Sequence, residues 1–100
     1  METIEAATLP IILCCGANGR AVVFGRVESA PVPGEPVTIH GARMIIYWAG
    51  KAGLFGLAAK GPADGSRITS AVPSTTETVW QEWIEIAPET AEKINAWPAE

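Results

Sequence analysis

One histidine, one tyrosine and two cysteines are all that this 100-residue chain holds of several reactive residue types. His40 has no serine or cysteine beside it in a nucleophile context, so no catalytic triad is signalled. It reads as a turn residue. The two cysteines, Cys14 and Cys15, are adjacent. Neighbours on a strand point to opposite faces, which makes a disulfide between them geometrically poor. With one histidine and no further cysteine, a structural zinc site lacks its ligands, and neither a metal nor a cofactor is expected. The pair reads as two small strand residues in a reducing compartment. Gly50, Gly53 and Gly56 are not followed by the Lys-Ser/Thr step of a phosphate loop. Glu82 and Glu85 fall on opposite faces of a regular strand, which counts against a general acid–base pair. No enzyme is expected from this inventory. Long apolar runs are also missing. The stretch that begins at Leu9 is too short and too interrupted by glycine to span a bilayer. The first residues, METIEAATLP, lack a basic region and do not read as a secretory signal.

What is present is a hydrophobic content of 48%, enough to bury a core, with eight prolines and ten glycines that favour short elements and many turns. Residues 1–8 read as a flexible lead-in and residues 9–98 as a single domain. Leu9–Cys15 predicts a strand. Asn18-Gly19 predicts a type I′ hairpin turn, and Ala21–Glu28 the returning strand, with a bulge or close backbone approach at Gly25. Ser29–Pro36 is a proline-rich loop. Val37–His40 is a short strand, His40-Gly41 a turn or bulge, and Ala42–Trp48 the strongest strand. Both faces of that strand are largely apolar, which predicts a central strand covered on both sides. Leu54, Leu57, Ala58 and Gly61 fall at helical spacing, and Gly61-Pro62 is a stop. Ala63–Ser70 is a loop leading to an edge strand that Val72-Pro73-Ser74 breaks. Thr75–Ala87 is β-rich, with imperfect alternation at Gln81-Glu82, and Pro88–Ala96 is a short helix.

The net charge of −4 argues against duplex nucleic acid. It is unevenly spread. Residues 71–100 carry six glutamates against Lys93, whereas residues 36–70 carry Arg43, Lys51, Lys60 and Arg67 against Asp64. One reading is internal pairing between these regions. The other is a small anionic ligand, such as a nucleotide, held by the central cations. Arg43, Tyr47, Lys51 and Arg67 are the candidate ligand residues, and a helix N-terminus near Lys51 suits an anion. Of the four tryptophans, Trp80, Trp83 and Trp97 lie among glutamates, which favours packing or a protein interface over base stacking. Regular alternation puts Trp80 and Trp83 on opposite faces, so one of them is a candidate interface residue.

Several steps have a recognisable order: Phe24-Gly25, Ala42-Arg43 followed by Ile46-Tyr47-Trp48 and Gly50, then Leu54, Leu57-Ala58 and Gly61. Ser66-Arg67-Ile68 follows, and Trp83-Ile84-Glu85-Ile86 leads into Pro88, Glu89 and Ala91. Over residues 20–98 this order resembles a family of small phage and prophage proteins known as a domain of unknown function. The first strand, with Cys14-Cys15, departs from the pattern. The resemblance implies a viral or proviral origin and no activity, cofactor or site residue.

The expected fold is α+β: a small bent antiparallel sheet or partial barrel of five to six strands, one central helix and a short C-terminal helix. The expected function is that of a phage- or prophage-encoded accessory binding protein, with counter-defence as one role. It would act by occluding a host protein or by sequestering a small anionic ligand. The alternative is a virion or assembly protein that self-associates into a homo-oligomer. The expected location is cytoplasmic, in the host cell if phage-encoded, with no membrane partner.

Overall fold

Leu9–Cys15 (β1) and Ala21–Val27 (β2) pair antiparallel in unbroken register, from Leu9 opposite Val27 to Cys15 opposite Ala21. The computed structural model in which they are seen describes residues 8–49 and 53–100. The connection between the two strands differs from the expected turn. Gly16 and Gly19 take positive φ (89° and 70°), but no non-glycine residue described does, Asn18 included. The Gly19 N–H donates to the Gly16 carbonyl at 3.1 Å and the Arg20 N–H to Asn18 Oδ1 at 3.1 Å. The asparagine thus contributes its side chain as an Asx turn, and the left-handed step falls to glycine.

The two strands expected on either side of His40-Gly41 are one 13-residue strand, Val37–Ala49 (β3). Gly41, at φ 59°, is where it bulges. On one side of the step Phe24 faces Arg43, and on the other Arg26 faces His40. The irregularity brings the backbones close at Gly25. A Cβ there would sit 2.9 Å from the His40 carbonyl oxygen and collide with Ile39 Cγ2. Only glycine fits, as its mid-strand position predicts.

β3 is the central strand. β2 takes one of its edges. The other edge is shared by Val72–Glu77 (β5), opposite Val37–Ala42, and by Ala63–Ile68 (β4), opposite Ile45–Ala49. Trp80–Glu85 (β6) pairs on the far side of β1. The sheet therefore has six strands in the order β4-β3-β2-β1-β6, with β5 also on β3. Two expectations are corrected here. Residues 63–68 are a strand rather than a loop. Val72-Pro73-Ser74 opens β5 instead of breaking it, because β5 pairs on one side only and a proline on the free side costs no ladder bond. Thr75–Ala87 is likewise divided, with Thr78-Val79 carrying the chain from β5 at one margin to β6 at the other. So short a link forces the sheet to curl. No ladder joins β5 to β6, so the curl stops short of a closed barrel.

The two faces carry separate apolar clusters. Ile12, Cys14, Val22, Phe24, Ile45 and Ile68 face two helices, Gly53–Lys60 (α1) and Pro88–Ala96 (α2). Leu57 and Ala58 of α1 and Ala91 and Ile94 of α2 are buried on them. Gly61, at φ 85°, ends α1, and its N–H reaches the Leu57 carbonyl at 2.8 Å. Thr90 Oγ1 donates to the Ala59 carbonyl at 3.2 Å and Lys93 Nζ to the Lys60 carbonyl at 3.2 Å, which ties α2 to the end of α1. Inside the curl, Ile11, Leu13, Cys15, Val23, Val27, Val37, Ile39 and Ala42 form the second cluster. Each fully buried aliphatic side chain contributes roughly 1.5–3 kcal/mol. The expected α+β architecture is present: a bent, unclosed antiparallel sheet, a central helix and a short C-terminal helix. The expected cover on both faces of β3 is not. Met44 and Ile46 are 47% and 45% exposed, because the curl that shelters Ile39 and Ala42 does not extend past them.

Candidate functional site

Of the expected ligand residues, Arg43 is placed most firmly, and as scaffold. It is 4% exposed on the helix-covered side of β3. Its Nε donates to the Thr69 carbonyl at 2.7 Å, Nη1 to the carbonyls of Ile94 and Asn95, and Nη2 to that of Trp97 at 2.8 Å. The last carbonyls of a helix have no partner within it, and a guanidinium fork can satisfy several at once. Arg43 is consumed in closing the end of α2 onto β3, which leaves it no face for an anion. Burial lowers its pKa from the ordinary arginine value.

Tyr47 and Arg67 do meet, as opposed residues of β3 and β4. Both are exposed, but Arg67 is engaged: Nε and Nη2 reach Glu100 Oε2 at 3.1 and 3.0 Å, and this carboxylate raises the arginine pKa. The tail also adds beside β4, with the Glu100 N–H on the Ile68 carbonyl at 2.8 Å. Lys51, with the proposed anion site at the start of the helix, lies outside the described residues. The expected cationic cluster is thus not assembled among the described ones.

Trp80 and Trp83 are both half-buried against the inner cluster, on the same face. The register of β6 on β1 explains why. Cys14 faces Glu82, but Cys15 faces Trp80, so Gln81 is an extra residue. This is the irregularity that the alternation suggested, and it reverses the face of Trp80. Gln81 Nε2 donates to the Gly16 carbonyl at 2.8 Å and Trp80 Nε1 to the Glu35 carbonyl at 2.7 Å. Neither tryptophan stands out as the exposed interface residue expected from regular alternation.

The feature that residue-by-residue reading missed is the open margin of the curl. A cleft of about 400 Å³ lies there, lined by Val23, Ala42, Met44, Thr69, Ser70, Val72, Thr75 and Glu77. Its position follows from β5. Thr75 and Glu77 oppose Ile39 and Val37, two inward-facing residues of β3. Opposed residues share a face, so β5 turns a hydroxyl and a carboxylate toward the apolar interior. Thr75 Oγ1 donates to Glu77 Oε2 at 3.0 Å. The only sequence signal was the polar alternation in Thr75-Thr76-Glu77, which is silent without the register.

Neither cysteine is primed as a nucleophile. Burial, and after it the Glu77 carboxylate, push the Cys15 thiol up to about 11. Burial and then Glu82 raise Cys14 as well. A thiol needs a lowered pKa to attack at neutral pH. His40 sits in β3 rather than in a turn, with Nε2 at 3.7 Å from Glu28 Oε2. No cluster of metal-ligating side chains occurs among the described residues. No helix among them is long and apolar enough to cross a membrane.

The family model for a domain of unknown function (DUF6948) matches residues 9–97, and the chain belongs to that family. The match takes in β1 with Cys14 and Cys15, so the strand that departs from the resemblance is nevertheless part of the domain. No curated protein and no solved structure matches the chain.

Proposed function

We propose that this is a non-enzymatic accessory binding protein that occludes a protein partner with the open margin of its sheet. The observation that carries the reading is the exposed apolar surface there. Met44, Ile46, Tyr47 and Val72 are 47%, 45%, 55% and 47% exposed on β3 and at the start of β5. Single exposed apolar residues are ordinary, but a group of them beside an apolar cleft marks an interaction surface. The resemblance to phage and prophage proteins supports a viral origin and a host protein, such as one of antiviral defence, as the partner. The anionic-ligand reading loses support, because Arg43 is spent on carbonyls and Arg67 on Glu100.

The test is affinity capture from host lysate by the wild-type protein and by Met44→Glu and Ile46→Glu, with calorimetry against nucleotides alongside. One defined partner is expected with the wild type and its loss with both variants, without heat from nucleotides. A partner retained by both variants, or nucleotide binding at micromolar strength, contradicts the reading.

The assembly reading has one observation in its favour. β6 pairs with β1 on one side and has no strand on the other among the described residues. Light scattering that shows an oligomer would favour it, and a monomer would remove it.

A further inference from the structure

We propose that the cleft at the open margin is a binding site for a primary alkylammonium group, with Glu77 as its counter-ion. The argument starts from what β5 puts inside. A strand facing Val37 and Ile39 is expected to contribute apolar side chains, yet it contributes Thr75 and Glu77. Glu77 is half-buried, and a carboxylate held against apolar walls loses part of its hydration unless it is paired. The described partners of Glu77 are neutral: the Thr75 hydroxyl donates to it, and the Cys15 thiol beside it keeps its proton. Among the described residues, no lysine or arginine lines the cleft.

The remaining walls suit an aliphatic stem. Val23 and Ala42 are buried, and Met44 and Val72 are half-exposed at the mouth. A thioether side chain such as Met44 adapts to occupants of different shape. Thr69 and Ser70 supply further polar atoms at the rim, and Glu77 is the only charged residue among the described residues of the lining. An apolar pocket with few convergent polar groups is the usual form of a small-ligand site. Here the charge selects a cation, and the apolar walls select one carried on a short alkyl chain. A second groove, lined by Phe55, Ala58, Ala59, Ile84, Glu85 and Ala87, also holds a carboxylate. Glu85 is exposed to water, however, where a single ion pair adds little.

Calorimetry with n-hexylammonium, n-hexanol and n-hexanoate tests the site. Hexylammonium is expected to bind, hexanol more weakly by about tenfold or more, and hexanoate least. Glu77→Gln keeps an acceptor for Thr75 and is expected to reduce hexylammonium to the level of hexanol. Phe55→Ser, in the other groove, is expected to leave both unchanged. Nα-acetyl-lysine methylamide separates two sources of the same chemistry. Affinity equal to that of hexylammonium identifies a protein lysine as the natural occupant, and weaker affinity identifies a free amine. Equal binding of hexylammonium and hexanol to the wild type overturns the proposal. So does unchanged hexylammonium binding by a folded Glu77→Gln, or no binding at all.

Discussion

On the helix-covered face of the sheet, α1 and α2 bury Phe24, Ile45 and Ile68, and a single arginine satisfies the carbonyls where α2 ends. On the other face, Ile11, Leu13, Val23 and Ile39 are sheltered by the curl of the sheet itself, and the curl stops at β5 with a cleft and a carboxylate. The first face is finished at its centre: the buried polar side chains described there have partners and the core lies beneath the helices, with Phe55 of α1 left 72% exposed. The second is finished only as far as Ala42. The difference separates scaffold from surface. A chain of this size has stability to spare for few unpaired features, so an open apolar margin beside a carboxylate is the place to look for binding.

The sharpest way to break this comparison is at Arg43. Arg43→Ala removes one guanidinium from the Thr69, Ile94, Asn95 and Trp97 carbonyls at once. A loss of about 3 kcal/mol or more in urea denaturation is expected. Arg43→Lys should recover little, since an ammonium cannot reproduce the fork. If Arg43→Ala were tolerated, the helix-covered face would not be the scaffold. Gly25→Ala comes next. The new Cβ meets Ile39 Cγ2 and the His40 carbonyl oxygen, and overpacking of this kind costs roughly 1–3 kcal/mol.

The buried thiol sharpens the comparison from inside the curl. An unfolded Cys15 ionises near 9.0 and the folded one only near about 11. Below the first value both states hold the proton, and the thiol adds no pH dependence. Between the two values the unfolded state alone gives it up, so stability should fall as pH rises from about 9 to about 11. Cys15→Ala should flatten that part of the profile. Native protein should also resist iodoacetamide at neutral pH while denatured protein is alkylated at both cysteines. The smallest effects belong to the open margin and the surface pair. Met44→Ser and Val72→Thr should change stability by no more than about 0.5 kcal/mol while weakening capture of a partner. Arg67→Ala, whose bond to Glu100 is exposed, should leave the denaturation midpoint unchanged.

How much of this was legible depended on how far each feature reached along the chain. The β1–β2 hairpin, the central strand, the stop at Gly61 and the helix opened by Pro88 all rest on local signals, and all are present. The partners of Arg43 lie about half the chain away, at the end of α2, so its charge read as available when it was not. Trp80 and Trp83 share a face because of one extra residue, Gln81, whose effect appears only against β1. Pro73 read as a strand breaker because its position on a free edge is a tertiary fact. Glu77 was missed for the same reason. A glutamate in a polar run looks solvated until the register places it opposite Val37.

The most direct test of the division between scaffold and binding surface is amide chemical-shift mapping during a hexylammonium titration. The shifts predicted are concentrated at Val23, Ala42, Met44, Thr69, Ser70, Val72, Thr75 and Glu77, and in Glu77→Gln they saturate only at about tenfold higher ligand concentration or more. Shifts concentrated instead at Phe55, Ala58, Ile84 and Glu85, on the helix-covered side, would contradict the account.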